Sequence, residues 1–199
     1  MAANYGKRTR PSTLVGQWLG NGLVLERGSF ESIVTTTVGA GGVANVTFSD
    51  IPATYKHLQI RILGRTTRAV TKATISAEFN SDTASNYSTH EVAGDGATAT
   101  SSGGGSRTPD YVAVCLSAGA SASANIFGVG VCDILDYADT NKYKTIRTFT
   151  GRDLNGSGDV RLISANWRST SAITSIKFTD SAGANLAEYT SIALYGIKG

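Results

Sequence analysis

Apolar residues in this chain recur at every second position more often than at every third or fourth. In HLQIRILG, residues 57–64, Leu58, Ile60 and Ile62 fall on one side, while His57, Gln59 and Arg61 fall on the other. That is the period of a half-buried strand. FESIVTTTV, the glycine run GAGG and VANVTFS predict a hairpin. Further strands are predicted in ATISAEF, YSTHEV, YVAVCLS, ANIFGVGVCDIL, KTIRTF, DVRLIS, ITSIKF and EYTSIALYGIKG, where Gly196 allows a bend or bulge. ANWRSTSA reads as a bulge or turn. Residues 93–108, AGDGATATSSGGGSRT, carry no large apolar group. They predict a mobile outer loop, because such a stretch buries too little surface to offset its ordering entropy.

About nine to eleven strands, spaced roughly 12 to 20 residues apart, predict an all-β antiparallel sandwich with long crossing connections. A jelly roll fits best, with a Greek-key sandwich of another topology as its rival. Composition agrees: Gly contributes 23 of 199 residues and charged residues only 17%, too little helix-forming material for long helices.

The domain is expected over 30–199, preceded by an extended arm at 1–29. Residues 1–27 hold Lys7, Arg8, Arg10 and Arg27 against Glu26, so they account for the whole net charge of +3. The arm also carries Trp18, Leu19, Leu23, Val24 and Leu25 between glycines. Large apolar groups gain by leaving water, so this segment is expected to dock on a surface. Lys7, Arg8 and Arg10 suit an acidic protein surface. Three clustered charges with no recognition element behind them argue against nucleic acid.

DLNGSGDVRL, residues 153–162, places Asp153, Asn155, Ser157 and Asp159 at alternate positions with Gly158 sixth, like the opening of a helix–loop–helix calcium site. The acid required at position twelve is Ser164, and the flanks read as strands, so a surface turn is the favoured reading. Calcium could still enter if this segment met Asp133, Asp136 and Asp139 in space. Cys115 and Cys132 read as free buried thiols, with a disulfide as the alternative. His57 and His90 form no metal pattern. Glu78 and Glu91 are the least implausible carboxylate pair for hydrolysis, but nothing marks them as catalytic, and GGGS lacks the lysine of a phosphate loop. No enzyme is expected. The aromatics Tyr87, Tyr111, Tyr137, Tyr143, Trp167, Tyr189 and Tyr195 either finish the core or offer faces for stacking on sugars.

The body resembles structural proteins of tailed-bacteriophage virions. The resemblance rests on FSDIPATYKHLQIRILGR (48–65), FNSDTASNYSTHEVAGDG (79–96), DILDYADTNKYKTIR (133–147), NGSG (155–158), ANWRSTSAITSIKF (165–178) and YTSIALYGIKG (189–199). It implies a noncatalytic particle component: a capsid decoration or cement protein, with a head-fibre or tail-associated receptor or glycan binder as the alternative. A calcium-dependent carbohydrate-binding module is a third reading. Homotrimers are common in that group, and the major capsid protein or another virion protein would be the partner. No segment joins a basic start, an apolar run and a cleavage site, and no apolar run reaches about 18 residues. The chain is therefore expected to be made in the host cytoplasm without a signal peptide and to reach the virion without membrane insertion.

Overall fold

The computed structural model describes residues 29–104 and 112–199, and all its regular structure is β. The strands are β1 (Phe30–Thr37), β2 (Asn45–Phe48), β3 (His57–Gly64), β4 (Lys72–Phe79), β5 (Tyr87–Gly94) and β6 (Ala99–Gly104), followed by β7 (Val112–Ala118), β8 (Gly128–Leu135), β9 (Lys144–Asp153), β10 (Gly158–Trp167), β11 (Ile176–Asp180) and β12 (Ser191–Ile197). They form an eight-stranded sheet, β1-β12-β3-β8-β9-β10-β5-β6, and a four-stranded sheet, β2-β11-β4-β7.

The pairing is nested. β1 pairs with β12, β2 with β11, β3 with β8 and β4 with β7, all antiparallel. One long ribbon rolled across two sheets gives this order, which is the jelly roll. Two hairpins are inserted into it, β5–β6 between β4 and β7, and β9–β10 between β8 and β11. Both join the same edge of the larger sheet, where β10 pairs with β5, so β9-β10-β5-β6 extends it as a wing beyond β8.

Several sequence expectations change, one being that Ala165–Trp167, expected in a bulge or turn, completes β10 in regular register. β1 and β2 do not form a hairpin, because the GAGG segment carries the chain from one sheet to the other. Part of the stretch expected to be a mobile loop is paired backbone, with β5 and β6 in register from Thr89↔Gly104 to Gly94↔Ala99. The Asp95 carboxylate closes that hairpin by accepting from the Ala97 and Thr98 amides at 2.9 and 2.7 Å. β6 brings no large side chain of its own to this pairing, which rests on backbone hydrogen bonds and on the Ser102 hydroxyl donating to Glu91 at 3.0 Å. The irregularity in the last pair falls in β1, between Ser32 and Val34, rather than at Gly196.

The core lies between the sheets. Leu58, Ile60, Ile62, Cys132, Ile134 and Ile146 face Phe48, Ile75, Phe79, Val114 and Phe178, all buried. Burial of each large side chain contributes roughly 1.5–3 kcal/mol. At one end Phe79, Tyr87 and Trp167 pack with ring centroids 5.7 to 6.5 Å apart. The Trp167 indole N–H donates to Asp82 at 2.7 Å, which satisfies its polar edge inside the protein. Cys115 and Cys132 are free and buried. Burial pushes both thiols up to about 12.

The sheets come closest where β7 crosses β8. A Cβ on Gly128 would fall inside the Leu116 carbonyl, and one on Gly130 inside the Val114 carbonyl. Only a bare backbone permits this approach. Gly130→Val should therefore force the two strands apart and cost about 3 kcal/mol or more. Urea denaturation would show this as a fall in midpoint at an unchanged slope.

Candidate functional site

The residues 153–159 close the β9–β10 hairpin. Asn155 (φ 59°) and Gly156 (φ 101°) both take left-handed backbone, as a two-residue type I′ turn requires, and Asn-Gly is its favoured pair. The Leu154 amide donates to the Ser157 carbonyl at 2.7 Å, and the Asp153 carboxylate accepts from the Asn155 amide at 2.9 Å. Asp159 points back into the protein. Its oxygens accept from Arg152 Nε and Nη2 at 2.7 and 3.1 Å and from Arg161 at 3.2 Å.

Arg152 is itself buried and donates onward to the carbonyls of Ala73 and Ser117 on the smaller sheet. Burial lowers its pKa, against the opposing pull of Asp159. The pair ties the inserted hairpin to both sheets, and it occupies the carboxylate that a cation would need.

The second acidic cluster stands at the other end of the larger sheet. Leu135, just before Asp136, pairs with Thr145, so Asp136 and Asp153 are separated by about 26 Å of strand rise along β9. The two acidic segments do not meet. Asp136 is held by Lys142 at 2.5 Å and Lys56 at 2.8 Å, and Asp139 by Lys142 at 3.4 Å. The Lys142 and Lys56 hydrogen bonds hold the Asp136 carboxyl down at about 2. Asp133 accepts from Gln59 at 2.9 Å. Among the described residues, no three His, Cys, Asp or Glu side chains form a group that could hold a metal ion.

The remaining ionisable candidates are distributed rather than gathered. Glu78 lies in the smaller sheet and pairs with Lys177 at 2.8 Å, whereas Glu91 lies in the larger sheet and pairs with Arg161 at 2.9 Å. His57 Nδ1 accepts from the Asp136 amide at 3.0 Å, and His90 is exposed on β5. Lys144 is fully buried at the start of β9, and its ammonium donates to the carbonyls of Asp139, Lys142 and Thr170 at 2.6 to 3.2 Å.

Tyr87, Tyr137 and Trp167 belong to the core. Tyr143 and Tyr189 are exposed, but they precede β9 and β12 at opposite ends of the larger sheet, so they form no common stacking surface. Tyr111 lies outside the described residues, as do Lys7, Arg8, Arg10, Trp18, Leu19, Leu23, Val24 and Leu25.

The feature that the sequence reading missed is the outer face of the larger sheet. The register aligns Arg61, Val131, Phe149, Leu162 and Val92 in one row across β3, β8, β9, β10 and β5. A neighbouring row runs Leu63, Val129, Gly151, Val160. Phe149 is 61% exposed, Val129 53% and Val92 51%, with Leu63, Val160 and Leu162 close behind. Toward β1 the same face is closed over: Phe30 stacks on Tyr195 at 4.8 Å, and the Arg61 guanidinium lies 5.3 Å from the Phe30 ring. Toward β6 it opens into a trough lined by His90, Val92, Ser101, Gly103, Leu162 and Ser164.

A signal for this face was present. Ile146 and Phe149 are three apart in one strand, and Leu162 adjoins Ile163, so neither pair can share one side of a sheet. Apolar groups on both parities mark strands that meet apolar surroundings on both faces.

No family model, curated protein or solved structure matches this chain. No helix among the described residues is long and apolar enough to cross a membrane.

Two outcomes follow. Arg152→Met leaves the Asp159 carboxylate short of its closest partner and should cost about 3 kcal/mol, the lower end for a broken buried pair because Arg161 remains; Asp159→Asn in the same background should restore part of that loss in denaturant melts. For Asp136 the folded pKa of about 2 lies below the ordinary 3.8. Its contribution to stability is fully present above 3.8 and disappears as pH falls toward 2. Melting temperatures of the wild type and Asp136→Asn should therefore converge across that window, and the difference isolates Asp136 from the other carboxylates.

Proposed function

We propose that the protein is a noncatalytic component of a bacteriophage particle, a capsid decoration protein that docks through residues 1–29, associates as a homotrimer and stabilises the shell. The observation that carries this reading is a division of labour along the chain. Residues 28–199 hold 14 basic and 14 acidic side chains, while the preceding segment holds all the excess positive charge. The neutral part is a jelly roll whose main unpaired resource is an apolar outer face. A body suited to packing against neighbours and a basic, apolar leader suited to a separate surface together fit a clamp on a larger assembly.

The ionisable groups support the noncatalytic part of the reading. Glu78, Glu91, Asp136 and Asp159 are each paired with a cation, and Glu78 and Glu91 stand in different sheets. A glycosidase pair needs two carboxyls facing one substrate. The scattered exposed tyrosines weigh against the receptor- or glycan-binding alternative.

The test is attachment to particles that lack the protein. Replacing Lys7, Arg8 and Arg10 with Ala in the full chain should weaken attachment about tenfold or more, if each contact contributes on the order of 0.5 kcal/mol or above. The melting temperature of the free protein should not change. Unaltered attachment, or a particle map placing a few copies at the tail tip, would overturn the decoration reading.

A further inference from the structure

We propose that the outer face of β8, β9, β10 and β5 is the surface on which a second copy of this chain docks. The inference rests on the assembly reading above only for the idea that copies associate; a face that meets its own copy makes a twofold contact, distinct from the threefold association proposed there, and the face itself is read from geometry.

The first argument is area. Val92, Val129, Val131, Phe149, Val160 and Leu162 occupy two adjacent cross-strand rows and are continuous. Five are about half exposed and Val131 is partly buried, and together they present on the order of 450 Å² of apolar surface, a large patch for a monomer. Two copies covering it would remove about 900 Å² from water through these side chains alone, close to the roughly 1,000 Å² that a specific interface must clear once its rim is added.

The second argument is charge. The rim carries Arg61 and Arg147 together with Asp133 and Asp153, all on the outward side of the sheet. A rim with two charges of each sign can pair with a copy of itself. The chain's own leading segment, with its excess of three positive charges, gains nothing beside Arg61 and Arg147. The neutral jelly roll brings no net repulsion to a partner of the same kind.

Third, the described residues cover this face only on one side. Phe30, Tyr195 and Arg61 pack together over β1 and β12, whereas among the described residues none caps the part over β8, β9, β10 and β5. The patch ends where the chain's own cover begins, and Phe149, its most exposed member, lies near its middle.

Sedimentation velocity of the full chain over about 1–100 µM tests this. The wild type should associate. Phe149→Lys should need at least about tenfold higher concentration to do so, with circular dichroism unchanged, whereas Phe149→Leu should stay close to wild type. Leu162→Lys, on the neighbouring strand, provides a second charge insertion should Phe149→Lys fail to fold. A wild type that remains monomeric throughout, or lysine variants that associate as the wild type does, would overturn the proposal. Association in solution without incorporation into particles would sink the virion reading and leave the interface standing.

Discussion

The passage of β7 across β8 sets the geometry of the molecule. Where the Leu116 and Val114 carbonyls lie against Gly128 and Gly130, the two sheets are separated by backbone instead of side chains. This edge of the sandwich is pinched shut, and the smaller sheet stops there. The larger sheet continues past it through β9, β10, β5 and β6. Beyond the pinch the Phe79, Tyr87 and Trp167 cluster fills one end of the interior, and polar clamps take over at the other. Thr150 accepts from the Leu116 amide and donates to the Val129 carbonyl, both at 2.7 Å, while Arg152 reaches across to Ala73 and Ser117.

Polar side chains therefore take most of the inward face of β9. On β9 the inward row is Lys144, Ile146, Thr148, Thr150 and Arg152, and the outward row contains Phe149. Both inward cations are satisfied, Lys144 by three carbonyls and Arg152 by Asp159 and two carbonyls. A buried charge is tolerated only on those terms. Lys144 joins its own preceding loop to Thr170, and Arg152 joins β9 to β4 and β7, so each cation fixes the position of more than one chain segment.

The fold was legible wherever one side of a strand is dry and the other wet. His57–Gly64 shows this, with Leu58, Ile60 and Ile62 buried, and so does the Asn-Gly turn, whose backbone preference overrides its likeness to a calcium loop. Where chemistry is local, sequence carries it. The GAGG segment misled because a glycine turn between two strands says nothing about whether those strands pair with each other, and here they belong to different sheets. β6 was hidden because Ala99–Gly104 is held by backbone hydrogen bonds to β5, which leave no trace in hydropathy. The outer face was hidden for a subtler reason. Phe149 and Leu162 read as core under any scale that counts apolar residues without fixing the phase of alternation. Register across five strands, not the content of any one, turns them into a surface.

The sealed interior also decides how the molecule can be labelled. Both thiols of the chain sit in the dry core, and burial drives their ionisation up to about 12. A maleimide is attacked only by a thiolate that can reach it. A single cysteine introduced on the surface would thus take a fluorophore or spin probe alone, with the native pair left in place and the packing undisturbed.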